Sequence, residues 1–431
     1  MRIFKRPDRR AFRAFIVVFV IIALNVTAQL IFFRHTLDEG AVTSFLPVYT
    51  DSDDYIQRAE GLADGDGFGE VFCDGLRMPG YPVFLSIFVK VFEKPAPVVR
   101  IVQMLLSSSL ILMCWLTISS LTRSAAAGLA GALLCALWLP FYYFSPVLYA
   151  ESVCIALVGM LVLALSGFDL KHPVRSLIIP SVLTAVLIYM KPNHILLLPA
   201  FLALPVGMAA GKGFRPGARL LIVPVLLVMI LLAPWTLFVS RCQQSPVVLT
   251  THGGWNLFLG SGGGHLYSSA WQQGSLPTRA WHYLGLRDAE DSNAAYVAIP
   301  SSMRAEADRA YRHKALERWK RQPLKLTVFG ASKLLHVFGF SFRGPRDLIV
   351  MLHFLISIGF SILLWKRRKW REWSMLLWAI TIIIAAQSFL FLGELRFKTV
   401  LFDFPALVVS VLGSFVLLQQ IFPSRSRSIS E

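Results

Sequence analysis

Apolar runs long enough to cross a bilayer recur along the whole chain, separated by short polar stops. A helix needs roughly 17 to 25 apolar residues to span the hydrocarbon core, and fewer when it packs inside a bundle. On that measure the pattern predicts ten spans, near 14–33, 99–121, 125–143, 152–168, 177–190, 195–210, 219–240, 348–365, 374–392 and 399–421. The expected fold class is therefore all-α, a polytopic membrane protein of about ten transmembrane helices. Two other apolar stretches read differently. Tyr81 to Val91 is short and stops at Glu93 and Lys94, and Leu324 to Phe342 is interrupted by Lys325, Lys333 and His336. Both are predicted to lie as amphipathic helices in the outer interface. The chain divides accordingly into an N-terminal transmembrane core (1–240, with a first outer loop at 34–98), an outer-face segment (241–346) and C-terminal transmembrane helices (347–431). The outer-face segment opens glycine-rich. It then predicts a helix over Ser301 to Gln322, with Tyr311, Ala315 and Trp319 on one face and Pro323 as its stop.

The polar positions between the spans set an orientation. One set of tails and short loops holds Arg2 through Arg13, Arg123, Lys171, Arg175, Lys212, Arg215, Arg219, the run KRRKWR from Lys366 to Arg371, Arg425 and Arg427, 19 basic residues in all. The short loops opposite hold Lys191, Arg396 and Lys398. The positive-inside rule then places both termini in the cytoplasm. Acidic residues split the other way: all but Asp8, Asp169, Glu372 and Glu431 fall outside or at outer span ends. That second asymmetry needs its own cause, and chemistry on the outer face supplies one.

Composition agrees with this. The chain is 55% hydrophobic and 16% charged, where soluble domains run to about 25% charged. A net charge of +17 would suggest nucleic acid for a soluble protein. Here the basic residues flank apolar runs, which fits topology and anionic headgroups and excludes a nucleic-acid partner. The basic N-terminus precedes an apolar run that ends in Gln29, Phe32, Phe33 and Arg34 with no small-residue cleavage site, so an uncleaved first span is expected. Cys114, Cys135 and Cys154 lie inside apolar runs and read as small buried residues. Cys73 and Cys242 lie outside them, and the sequence leaves open whether they pair in an oxidising compartment.

Candidate chemistry collects at the outer span ends. The stretch from Thr50 to Pro82 carries Asp51, Asp53, Asp54, Glu60, Asp64, Asp66, Glu70 and Asp74, then Arg77 in an Arg-Met-Pro-Gly-Tyr-Pro turn that includes Tyr81. Asp51 begins the spacing D-x-x-x-Y with Tyr55. A carboxylate within hydrogen-bond reach of a sugar hydroxyl can take its proton. Asp51 is the first choice for that role, with Asp53 and Asp54 as substitutes, and Asp64, Asp66, Glu70 and Asp74 read as a solvated acidic loop. Arg77 suits a phosphate, through two parallel hydrogen bonds, or else a lipid headgroup. Glu151 opens the fourth span, and Lys191, Arg241, Arg396 and Lys398 stand at outer span ends. Each basic residue alone is an anchor; together with Asp51, Arg77 and Glu151 they put both signs of charge on one face. His252 and His265 are spaced unlike metal ligands and read as loop histidines, and Asp403 in the last span is expected to form an internal ion pair near Arg396.

In order, these pieces are one span, an acidic loop with D-x-x-x-Y, R-x-P-G-Y-P, E-S opening a span after aromatics, K-P, A-P-W…R, T-H-G-G-W-N-L-F-L-G, W-K-R-Q-P, and E-L-R-F-K before the last span. This series resembles the C-type-fold membrane glycosyltransferases, in particular the protein O-mannosyltransferase-like group (family 39) that includes the lipid A aminoarabinose transferases. The resemblance implies a polyprenyl-phosphate sugar donor and transfer on the outer (periplasmic) face of the inner, plasma membrane. It matches Asp51 to the family's first-loop aspartate, with Ser52 where the family has Glu, and so keeps Asp53 as the next carboxylate. It matches Arg77 and Arg396 to basic positions and Glu151 to an acidic one. No cofactor is required on this reading, and a divalent metal is left open. The rival readings are a flippase of lipid-linked sugars, for which inner repeats would be expected, and a glycan polymerase or ligase.

Overall fold

The computed structural model describes residues 9–34, 50–169, 171–211, 219–263, 275–286, 296, 298–342, 344–367, 369–393 and 395–422. Arg2, Lys5, Arg6, Asp8, Lys212, Arg215, His265, Arg368, Arg425 and Arg427, which entered the sequence reading, lie outside the described residues, as does 35–49 of the first outer loop. Regular structure among the described residues is entirely helical. The first half holds α1 (Arg9–Phe32), α2 (Thr50–Asp64), α3 (Glu70–Cys73), α4 (Gly80–Val91), α5 (Pro95–Thr122), α6 (Ala125–Leu137), α7 (Glu151–Ser166), α8 (Pro173–Met190) and α9 (Leu197–Gly211). After α10 (Arg219–Cys242) come α11 (Gly253–Gly260), α12 (Leu276–Tyr283), α13 (Arg304–Arg321) and α14 (Pro323–Val337). The chain closes with α15 (Pro345–Trp365), α16 (Arg371–Leu390), α17 (Leu395–Leu401) and α18 (Asp403–Ile421).

Each of the ten expected spans has a helix at its place, and eight are long and apolar enough to cross a membrane by themselves. The exceptions are α6 and α7, with 13 and 16 residues. Ser124 starts α6 by accepting a hydrogen bond from the Ala127 amide. The helix ends at Leu137, short of the expected 143, because Pro140 follows and cannot continue it. After a short 3-10 turn at Leu139–Phe141 the segment to Ala150 is irregular and partly buried, with Phe141, Ser145 and Ala150 at zero exposure while Leu139 and Tyr143 face outward from the packing. Its carbonyls find partners from side chains: Gln103 Nε2 donates to Ser145 O at 3.0 Å and Val147 O at 2.7 Å, and Ser52 Oγ to Leu148 O at 3.3 Å. Irregular backbone inside a membrane bundle requires such pairing.

The last expected span is two helices, since the chain breaks at Phe402 and leaves α17 as a separate short piece. Lys398 on α17 is 1% exposed and pairs with Asp403, which also accepts from Trp138 Nε1 at 3.0 Å. The internal ion pair therefore exists, but its basic partner is Lys398 and not Arg396.

The segment after α10 is bolted to the bundle. Asp308 of α13 accepts from the Gly254 and Trp255 amides at 2.5 and 3.3 Å and so caps α11. Trp255 stacks on Tyr296 at 4.7 Å, with Tyr311 edge-on at 4.6 Å. Lys333 of α14 is fully buried and donates to Gly260 O at 2.5 Å and Phe391 O at 2.6 Å. A disulfide joins Cys73 to Cys242. Next to it, Gln243 donates to Cys73 O at 2.5 Å and Ser301 O at 2.7 Å. α13 ends at Arg321, just before the expected stop at Pro323, and Pro323 is also the first residue of α14, where its missing N–H costs nothing.

Candidate active site

The acidic stretch is a helix. Within α2, Asp51, Asp54, Tyr55 and Arg58 are spaced by three, four and seven residues and share one face. Asp51 lies in the first turn, where the helix dipole favours an anion. After α3 the chain turns through Gly75 at φ +63° and delivers Arg77 ahead of α4. Gly80 lets this turn press onto α8, because a Cβ there would come 2.6 Å from the Tyr189 carbonyl. Glu151 starts α7, Lys191 caps the C-terminus of α8, and Arg396 stands on α17.

These residues meet in one line of alternating charge. Asp74 accepts from Arg58 Nη2 at 2.7 Å, and Arg58 Nε donates to Asp54 at 2.9 Å. Arg77 Nε donates to Asp54 Oδ2 at 2.6 Å, while its Nη2 binds Asp51 Oδ1. Asp51 Oδ2 lies 3.3 Å from Arg396 Nη1, across 345 positions of sequence. Arg396 Nη1 is 3.5 Å from Glu151 Oε1, which accepts from Lys191 Nζ at 2.5 Å. Toward each end the line is more buried: Arg58 and Glu151 side chains are 2% exposed, with Asp74 and Lys191 beyond them at 10% and 12%. Its middle, with Asp54, Arg77, Asp51 and Arg396 each about one-fifth exposed, opens outward. Burial opposes charge on Asp51, but Arg77, Arg396 and Lys191 outweigh it and hold its carboxyl well below the ordinary range.

Tyr55 and Tyr81 support this line from beneath. The Arg77 guanidinium lies 5.3 Å over the Tyr55 ring, and Tyr81 meets Tyr55 edge-on at 5.0 Å. Tyr81 is fully buried and donates to Gln103 at 2.7 Å, so it is a wall behind the site.

Not every sequence candidate joins this line. Asp53 points off the shared face of α2 and is exposed, outside the charge line; Asp54 occupies the place expected of it. Arg241 is exposed at the end of α10, and Lys398 is committed to Asp403, so neither joins the line. Asp74, read as a solvated acid, is buried on Arg58. Arg58 itself escaped notice, although its spacing of seven from Asp51 was available once the stretch was read as a helix. His252 is more than a loop histidine. Among the described residues its Nδ1 has no hydrogen-bond partner, its ring meets Tyr296 edge-on at 5.3 Å, and burial, with Arg77 next in effect, pushes its pKa down to about 3. Among the described residues no group of three or more His, Cys, Asp or Glu side chains converges as a metal site.

Residues 77–238 match the family model described as dolichyl-phosphate-mannose-protein mannosyltransferase. The match supports the resemblance read from the sequence and, with the all-helical polytopic fold, a membrane glycosyltransferase of the mannosyltransferase type. Arg77, Glu151 and Lys191 fall inside the matched stretch; Asp51 and Arg396 flank it in sequence and join it in space. No curated protein matches the chain.

Proposed function

We propose that the protein transfers a sugar from a polyprenyl-phosphate donor to an acceptor glycan, lipid or protein at the outer face of the plasma membrane. The observation that carries this reading is the convergence of Asp51 and Arg77 with the distant Arg396 onto one half-open line of charge. In the reaction, the acceptor hydroxyl oxygen bonds to the anomeric carbon as the bond from that carbon to the phosphate oxygen breaks. Asp51 takes the hydroxyl proton. The leaving phosphate monoester is a stable anion and needs positive charge, which Arg77 and Arg396 provide, with Lys191 and Glu151 holding Arg396 in place.

One further feature supports the outer compartment. The Cys73–Cys242 disulfide beside Asp74 and Arg77 suits an oxidising outer compartment.

The test uses purified protein in lipid nanodiscs and radiolabelled polyprenyl-phosphate sugar presented with cell-envelope acceptors. Transfer by the wild type, reduced by about 10²- to 10⁴-fold in Asp51→Asn, is the expected result. Wild-type transfer by a folded Asp51→Asn variant removes Asp51 from the role. In sealed proteoliposomes, movement of the lipid across the bilayer with no transfer makes the protein a flippase instead.

A further inference from the structure

Both oxygens of Asp51 are occupied, Oδ1 by Arg77 Nη2 and Oδ2 by Arg396 Nη1. A carboxylate gripped by two guanidiniums is a poor proton acceptor, because protonating it forfeits both charge-assisted hydrogen bonds. The same two guanidiniums are the cations assigned above to the donor phosphate. The geometry resolves this conflict. Arg77 is anchored at Nε by Asp54 at 2.6 Å, and Asp54 is held by Arg58, which is buried on Asp74. Arg396 has a second carboxylate in Glu151, itself fixed by Lys191 at 2.5 Å. Each cation therefore keeps a counter-ion if Asp51 lets go. The contacts to Asp51 are also the ones on the exposed middle of the line. Among the described residues of the line, four carboxylates (Asp51, Asp54, Asp74, Glu151) face four cations (Arg58, Arg77, Lys191, Arg396), so an arriving anion competes with one already present.

Resting on the glycosyltransferase reading, we infer that the donor phosphate exchanges with Asp51 on Arg77 Nη2 and Arg396 Nη1, and that Asp51 becomes a working base only in the donor complex. Donor binding thus precedes acceptor activation. With the phosphate on the two guanidiniums, the freed Asp51 carboxylate takes the acceptor proton while the C–O pair departs on the phosphate oxygen. When polyprenyl phosphate leaves, Arg77 and Arg396 return to Asp51 and expel that proton to water. Asp54, Arg58 and Asp74 are positioning residues in this cycle, since they keep Arg77 in place through the exchange.

The experiment measures binding of polyprenyl phosphate to the full-length protein in nanodiscs, with the corresponding polyprenol as control. Asp51→Asn removes the competing anion and is expected to bind polyprenyl phosphate about tenfold more tightly, with polyprenol unchanged. Asp51→Glu retains the competitor and is expected to keep the wild-type affinity, whereas Asp54→Asn loses the Nε anchor and binds about tenfold more weakly. Affinity unchanged or lowered in Asp51→Asn overturns the exchange. A second measurement needs no variant: modification of the Asp51 carboxyl by a carbodiimide, mapped by mass spectrometry, is expected to rise when polyprenyl phosphate is added and not with polyprenol. No rise overturns the exchange even where the enzyme transfers sugar normally. A wild-type protein that neither binds polyprenyl phosphate nor transfers sugar overturns the proposed function itself, a different outcome.

Discussion

At the scale of single residues, Arg58 holds two carboxylates, Asp54 and Asp74, with a side chain that is 2% exposed. Removing one member of a buried ion pair strands the others without water, at a cost of about 3–5 kcal/mol. Arg58→Met is therefore expected to lower the unfolding temperature sharply and to abolish transfer, while Asp53→Asn, on the exposed side of the same helix, shifts stability by no more than about 0.5 kcal/mol. Thermal unfolding of both variants in one detergent makes the comparison. His252 gives a pH prediction. Its pKa is about 3 in the folded protein against 6.5 for the free side chain. Between those values the unfolded chain binds more protons, so stability falls as pH drops from 6.5 toward 3, by up to about 1.4 kcal/mol per pH unit. Asp51, whose carboxyl is also lowered, works in the same direction but sets in later: its contribution is intact above 3.8 and declines as pH falls below that value. His252→Gln is expected to flatten the acid limb of stability against pH; an unchanged limb refutes the assignment.

Two elements place the residues of the site, the turn from Asp74 to Gly80 and the break at Phe402. The turn is held from behind by the Cys73–Cys242 disulfide and from below by contact of Gly80 with Tyr189. Gly80→Ala drives a Cβ into the α8 backbone, which cannot yield as a side-chain tip does. It is expected to destabilise by about 1–3 kcal/mol and to reduce transfer. Gly359→Ala, where a Cβ meets nothing within 4 Å, is the neutral control. A Cys73→Ser, Cys242→Ser variant is expected to lose about 2–4 kcal/mol and to become more sensitive to protease within 69–79. Full stability under reducing conditions would deny the disulfide a structural part. The break at Phe402 is bridged by Lys398 and Asp403, whose mutual burial ties α17 to the start of α18 in one corner that holds Arg396 over Asp51.

For the whole molecule the testable matter is sidedness. The native cysteines are buried or paired, so a single introduced thiol reports cleanly. Lys314→Cys on α13 is expected to react with a membrane-impermeant maleimide on intact cells. Lys369→Cys, between α15 and α16, is expected to react after permeabilisation alone. The reverse pattern would put the charge line in the cytoplasm. The all-helical polytopic class, the position and order of the apolar helices, the basic loops and the acidic character of residues 50–74 were legible in the sequence, because hydrophobic burial and helix period act locally and leave their mark at every position. Asp51, Arg77, Glu151, Lys191 and Arg396 were legible as candidates for the same reason, as lone charges at span ends. Which carboxylate meets which cation was decided by tertiary structure alone. Asp54 over Asp53, Asp74 on Arg58 and Lys398 on Asp403 all follow from helix phase and from a break at one residue. A rotation of about 100° per residue separates a charge that faces the site from one that faces water, and no linear pattern fixes how two helices 300 positions apart are turned toward each other.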